Sequence, residues 1–512
     1  MTEYSDLKTS PSAAIRATLN YPVIDTDVHT NDFTPAIEDY IANYGGAKLV
    51  DELRKAESSR LNSKSDGKDW YQQTPEERQY NRTIRSPWWA RVTRNTLDLA
   101  TYTLPALFYE RQAEQGSDYS VLFPNNVLAP AGASAENRQA LQRAVNHYHA
   151  DIYRKYSDRL TPVAGIPMTT PQEAIEELEF AVKTLGLKVA NIPGGVKRPI
   201  KAIADKYPAD KFPEIAKYAS YIDFFGLDSE YDYDPFWAKV VELGVPVTTH
   251  YGSQGWTGRS SISNYMNNHI GHFADGSQAF AKALFFGGVT RRFPQLRVGM
   301  LEGGADWGAH VYIHLVDRFS KRSLEGLQNY NPDLTNGDEL LELFEQYGGE
   351  ITKGYSLSKA ELTKSVLGSS FSRHSRQPNS QELEDFAAAG IKTIEDIRDR
   401  WVNSFFFGSE SDDRTIGAAF NTKANPLGVK INAIYSSDVG HWDVPDLRDP
   451  LAESWQLVKE GVISESDFKA YVFANPYKFY TEANPNFFQG TVIESRVAQI
   501  ESIQIDKPLV KV

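Results

Sequence analysis

The sequence predicts an α/β protein, a (β/α)8 TIM-type barrel with long helical insertions after strands one and six. Two observations predict it. Eight short apolar runs recur along the chain, most of them separated by segments with helical spacing, and such alternation implies a parallel sheet. Several of these runs end in His, Asp or Glu, as barrel strands do at the mouth where catalysis is sited.

The first strand is YPVIDTDVHT, Tyr21 to Thr30. Val23 and Ile24 are β-branched and follow a Pro. Asp25, Asp27 and His29 fall at every second position, so a strand turns all three to one face. Burying charge without a partner is costly. A divalent cation is the simplest partner, and Asp27 and His29 can reach one ion from the open end of the strand. Taken alone, a chance D-x-H on a solvated strand end explains the pattern equally well.

Residues 1–20 read as a polar arm, 21–484 as the barrel, and 485–512 as a C-terminal tail. The stretch 31–117 shows helical pieces, a polar run and an aromatic cluster at Trp88 and Trp89, which either wall a pocket or glue the insertion down. DYSVLFPN (118–125) is the second strand and TPVAGIP (161–167) the third, with helical spacing between them over 135–156. Thr170-Pro171-Gln172-Glu173 predicts a capping box that opens a helix, with Ile175, Leu178, Val182 and Leu185 on one face. KVANIPG (188–194) is the fourth strand, and Asp234-Pro235 starts a further helix that Gly244 ends. PVTTH (246–250), RVGMLEGG (297–304), SFFFGSES (404–411) and INAIYSSD (431–438) complete the set. The second insertion, about 320–400, has two helical runs around a loop and reads as a lid or a subunit contact. The tail, with Phe487 and Phe488, is apolar enough to want a partner and predicts a homodimer or higher homo-oligomer.

His29, His250, Glu302 and Asp438 each stand at or near a strand end, and a barrel brings those ends to one mouth. Imidazole and carboxylate donors suit zinc, manganese or iron, as one ion or two. His269 and His272 lie in the connection after strand five, and His269 is carried as a substrate contact or second-metal ligand. His310 and His314 share a helix face without the Glu of an H-E-x-x-H motif and read as structural. Glu410, Asp412 and Asp413 end strand seven and read either as contacts of the site or, by default, as a solvated acidic turn.

Composition narrows the function classes. A net charge of −13 over 512 residues disfavours nucleic acid and anionic membranes as partners. There is no cysteine, so thiolate chemistry, disulfides and zinc fingers are excluded. No apolar stretch approaches a spanning helix and no secretory pattern opens the chain, which places the protein in the cytoplasm as an expectation. No P-loop, G-x-G-x-x-G or G-x-S-x-G occurs in a fitting context, so neither a nucleotide cofactor nor a serine-hydrolase elbow is indicated.

The D-x-H of strand one, the strand ending in His250, the run RRFPQLRVGMLEGGADW (291–307) and SDVGHWD (437–443) together resemble the amidohydrolase superfamily. The branch most similar is the amidohydrolase-2 group, which includes aminocarboxymuconate semialdehyde decarboxylase and related aromatic-acid decarboxylases. The resemblance implies a barrel with one or two divalent metals at its mouth. It implies that Asp27 and His29 stand at the family's H-x-H metal pair, with Asp in place of the first His. It implies that His250 is a metal ligand, that Asp438 is both ligand and general base, and that His441 lies beside the site. The departure is Glu302, where those decarboxylases carry a His before the Gly pair. Glu302 is therefore a further ligand, a general base or a buried acid.

Hydrolysis of a small carbonyl or carboxyl compound by metal-activated water is the leading expectation. Non-oxidative decarboxylation, a non-heme iron oxygenase (diiron included) and a non-catalytic binding protein are the alternatives.

Overall fold

The computed structural model describes residues 10–60, 68–85, 92–250, 259–331, 334–367 and 384–498. Trp88, Trp89 and the loop expected at 369–382 lie outside the described residues.

Eight parallel strands form the centre. They are β1 (Ile24–Thr30), β2 (Tyr119–Pro124), β3 (Leu160–Pro162, resuming at Ala164–Gly165), β4 (Ala190–Asn191), β5 (Val247–Thr249), β6 (Val298–Met300), β7 (Phe405–Ser409) and β8 (Ala433–Tyr435). Each pairs in parallel with the next in chain order. Within β3, Leu160–Pro162 pairs with β2 and Ala164–Gly165 with β4. Val163 bridges the two halves, donating its N–H to Leu122 O at 3.0 Å. At the other seam, Thr26 Oγ1 donates to Tyr435 O at 2.7 Å, Asp438 N to Asp27 O at 3.1 Å and His29 N to Val439 O at 2.9 Å. The sheet is thereby closed, and the predicted barrel is the fold. Closure removes both free edges, which explains why β1 can be buried at all seven positions.

Helices fill most of the connections. Thr170 caps the helix Pro171–Glu179 as predicted, accepting from Glu173 N at 3.2 Å. The Glu173 carboxylate instead meets Arg138 at 3.0 Å on the neighbouring helix Ala135–Tyr153. The first insertion is helical, led by Thr34–Arg60, and it rests on Ala135–Tyr153 through Ile37, Ile41, Leu49, Leu53, Leu141 and Val145. An antiparallel hairpin, Val196–Pro199 with Ser220–Asp223, follows β4.

The N-terminal arm contains a helix, Pro11–Thr18, capped by Ser10. Ser12 N donates to Arg448 O at 3.0 Å and Arg16 pairs with Asp118 at 2.6 Å, so the arm is fixed to the barrel by polar contacts. The tail corrects an expectation. Phe487 and Phe488 do not await a partner: both are buried, Phe487 stacked on Tyr480 at 4.5 Å and Phe488 edge-on to Tyr119 at 5.3 Å.

Residues His314–Ile397 form a compact unit of their own. Its helices include Gly337–Tyr347, capped by Asn336, and Lys359–Val366, capped by Ser358. Among the described residues no helix is long and apolar enough to cross a membrane.

Candidate metal centre

The site is built where four strands end. Asp27 and His29 close β1, His250 follows β5, Glu302 lies two residues beyond β6, and Asp438 and His441 lie beyond β8. All are buried except His250, whose side chain is 11 % exposed. Glu302 and Asp438 both sit in the left-handed region, with φ of 60° and 54°. Non-glycine residues avoid that conformation, and where it persists it is held by its surroundings, most often at functional sites. Gly440 (φ 99°) meets a different demand, because a Cβ there would fall 2.2 Å from the His29 carbonyl oxygen. The chain after β8 therefore runs against β1 and delivers His441 to the site.

The donor atoms converge in two groups that share His29. Asp27, His29 and His250 form one, and His29, Glu302, Asp438 and His441 the other; within each, one ligand atom per residue lies within 4.8 Å of all the rest. His250 Nε2 faces both oxygens of Asp27 at 2.8 and 2.9 Å. His29 Nε2 is 3.3 Å from Asp27 Oδ1 and 3.1 Å from Asp438 Oδ1. Neither His29 Nε2 nor Asp438 Oδ1 has an aligned hydrogen-bond partner, although both are buried. The two atoms lie 3.1 Å apart, and His441 Nδ1 comes within 2.9 Å of the same Asp438 oxygen. His441 Nδ1 meets Asp438 at 2.9 Å and Glu302 Oε1 at 3.5 Å, and its ring stacks on that of His29 at 3.6 Å. Phe123 of β2 meets His250 edge-on at 4.3 Å, an apolar wall beside the donors. Imidazole and carboxylate ligands without thiolate fit zinc, manganese or iron.

Electrostatics separate the carboxyl groups. Burial acts to raise Asp438, but His441 and His29 beside it hold it well below the usual carboxylate range. Asp27 is likewise held low against its burial by His250 and His29. Glu302 is pushed well above its ordinary value, first by burial and then by the charge of Asp438. Burial opposes protonation of His29, yet the two carboxylates carry it up to about 9. Burial lowers His250. Asp25 is pushed up to about 8 by burial, against the hydrogen bonds from Ser437 and Asp27.

The structure thus brings Asp27, His29, His250, Glu302, Asp438 and His441 together. His269 belongs to neither ligand group among the described residues. It stacks on Tyr265 at 5.2 Å and meets Trp442 edge-on at 5.7 Å, and burial lowers its pKa. It stands beside Trp442, the neighbour of His441 in the chain. Asp25 shares the β1 face but binds backbone groups instead: it accepts from Asp27 N at 3.2 Å and Ser437 N at 3.1 Å.

Sequence reasoning missed Arg259 and left Glu410 between a site contact and a solvated turn. Burial raises the pKa of Glu410, with Asp438 and Glu302 adding to the effect. Arg259 is only 4 % exposed and is lowered to about 10 by burial. Its Nη1 is buried without a hydrogen-bond partner, and its charge acts on Tyr265, His269 and His272. The only sequence signal for Arg259 was its position nine residues after His250.

A closed parallel barrel whose strand ends gather nitrogen and oxygen donors defines a metal-dependent barrel enzyme. The family model described as Amidohydrolase matches residues 105–323. That stretch runs from before β2 to beyond β6 and contains two of the motifs that carry the resemblance, the strand ending in His250 and residues 291–307 with Glu302. Among solved structures, the chain is similar to 2,6-dihydroxybenzoate decarboxylase from Rhizobium at 15 % identity, covering 90 % of this chain and 99 % of that one, with a TM-score of 0.44. It is also similar to an amidohydrolase from Mycobacterium avium subsp. paratuberculosis, at 16 % identity, 90 % and 100 % coverage and a TM-score of 0.46. A manganese-bound 5-carboxyvanillate decarboxylase from Novosphingobium aromaticivorans gives 13 % identity, 90 % and 97 % coverage and a TM-score of 0.47. No curated protein matches the chain.

Proposed function

We propose that this chain is a metal-dependent hydrolase acting on a small organic compound with carbonyl and carboxyl groups. The observation that carries the reading is the pair of ligand groups sharing His29 at the strand ends. Asp27, His29, His250 and Asp438 would hold a cation there, His29 through a single ring nitrogen, with Glu302 and His441 beside it. A divalent cation supplies a Lewis acid there, polarising a substrate oxygen and lowering the pKa of water.

The side chains divide the proton work. Asp438 stays ionised, and its 2.9 Å contact with His441 lets it pass a proton taken from water to that imidazole. Glu302, pushed well above its ordinary value by burial and by Asp438, would hold the proton for the leaving group. Arg259 would receive a substrate carboxylate: it is buried, its Nη1 has no hydrogen-bond partner among the described residues, and a buried guanidinium is costly without an anion. Phe123 and Trp442 suit an apolar or aromatic body.

Arg259 also favours a second reading, non-oxidative decarboxylation, in which Glu302 or His441 would protonate the carbon that loses CO2. The deciding experiment uses protein purified without added metal. Its metal content is measured, and amides, lactones and aromatic acids are then tested for hydrolysis, CO2 release and oxygen uptake. Hydrolysis by protein containing zinc or manganese is the expected result. CO2 release without water addition would replace it with the second reading, and two irons with oxygen uptake would overturn both.

A further inference from the structure

Asp25 is fully buried, lies two residues from Asp27 and belongs to neither ligand group. Three N–H groups converge on its carboxyl. Oδ1 accepts from Asp27 N at 3.2 Å and from Ser437 N at 3.1 Å, and Oδ2 accepts from Gln115 Nε2 at 2.5 Å. Gln115 and Ser437 are themselves fully buried. Ser437 Oγ is a second junction: it accepts from Gln115 Nε2 at 3.1 Å and Val439 N at 3.3 Å, and donates to Asp27 O at 3.4 Å. The residue enclosed between Ser437 and Val439 is Asp438, in its left-handed turn at φ 54°.

That turn is unfavourable for a non-glycine residue, so it persists only where its flanks are fixed. Asp25 fixes one flank directly, and through Gln115 it fixes the side chain that holds the other. We propose that Asp25, together with Gln115 and Ser437, is the positioning group that keeps Asp438 turned toward His29 and so sets the affinity of the site for its cation. Asp25 acts from β1, the strand that also carries Asp27 and His29, so one carboxyl sets the register between the ligands on either side of the barrel seam. The proposal rests on the metal-dependent reading above. Groups that orient ligands from behind the first layer are typically worth about 10–100-fold in metal affinity.

The test is calorimetric titration of metal-free protein with Mn2+ and with Zn2+, alongside circular dichroism. Asp25→Ala should keep the barrel's spectrum and bind the cation about 10-fold or more weakly. Asp25→Asn keeps an acceptor for the two backbone N–H groups, and the Gln115 amide can turn its carbonyl to accept from both the new NH2 and the Ser437 hydroxyl, so affinity should return to near the native value. Where Asp25→Ala does not fold, Gln115→Ala carries the test, leaving Asp25 in place but loosening both junctions; weakened binding is again the supporting result. Native affinity in a folded Asp25→Ala or Gln115→Ala protein overturns the proposal. A native protein that binds neither cation removes the metal reading itself, and this inference with it.

Discussion

His29 uses one imidazole nitrogen to face two carboxylates, Asp27 at 3.3 Å and Asp438 at 3.1 Å. Both are buried, so without a cation the histidine is the charge that offsets them, and its pKa rises to about 9. His250 offers its Nε2 to Asp27 alone. His250→Ala should therefore weaken cation binding by at least about tenfold and abolish turnover while leaving the fold intact; metal analysis of the purified variant checks this, and native metal content would remove His250 from the site. These donors were legible in the sequence because strand ends and residue types are both written there. Arg259 was not, and Glu410 only as one of two readings, because their significance lies in burial and in neighbours distant along the chain.

Among the elements, the helix Pro171–Glu179 combines the legible and the illegible. Its start was written in Thr170 and Pro171. Its buried Glu177 was not, because helical spacing does not reveal which polar residue turns inward. Glu177 accepts from Asn146 Nδ2 at 2.7 Å, and burial pushes it up to about 8. The folded chain therefore holds a proton that the unfolded chain releases near its ordinary value of 4.5. Its contribution to stability is complete below 4.5 and is lost as pH rises toward about 8. Glu177→Gln keeps the acceptor for Asn146 and should flatten this dependence, gaining on the order of a few kcal/mol at pH 9 relative to the native protein. Denaturant unfolding at pH 5 and pH 9 measures it, and equal pH slopes for the two proteins would contradict it. The short strands were also legible, although β4 and the second half of β3 are only two residues each, held more by neighbouring strands than by their own propensity.

For the whole molecule, a cation at the barrel mouth joins β1, β5, β6 and β8, and so ties segments more than 400 residues apart at Asp27 and Asp438. A cation that binds only the folded chain, present at a hundredfold excess over its dissociation constant, adds about 2.7 kcal/mol of stability. Chelation should accordingly lower the melting temperature, and Mn2+ or Zn2+ should restore it; a midpoint indifferent to chelator would mean that no cation is bound in the native fold. The barrel was legible as a whole from the alternation of strands and helices. The fate of the tail was not, since apolar Phe487 and Phe488 look the same in sequence whether they meet another molecule or, as here, Tyr480 and Tyr119 of their own. The shared position of His29 has a consequence for how such a protein can diversify. No lineage can abandon one half of the donor cluster by altering that histidine without losing the other. The freedom lies in residues belonging to one half only, and Glu302, standing on a turn of its own after β6, can be exchanged to recast the reaction while Asp27 and His250 keep their anchorage.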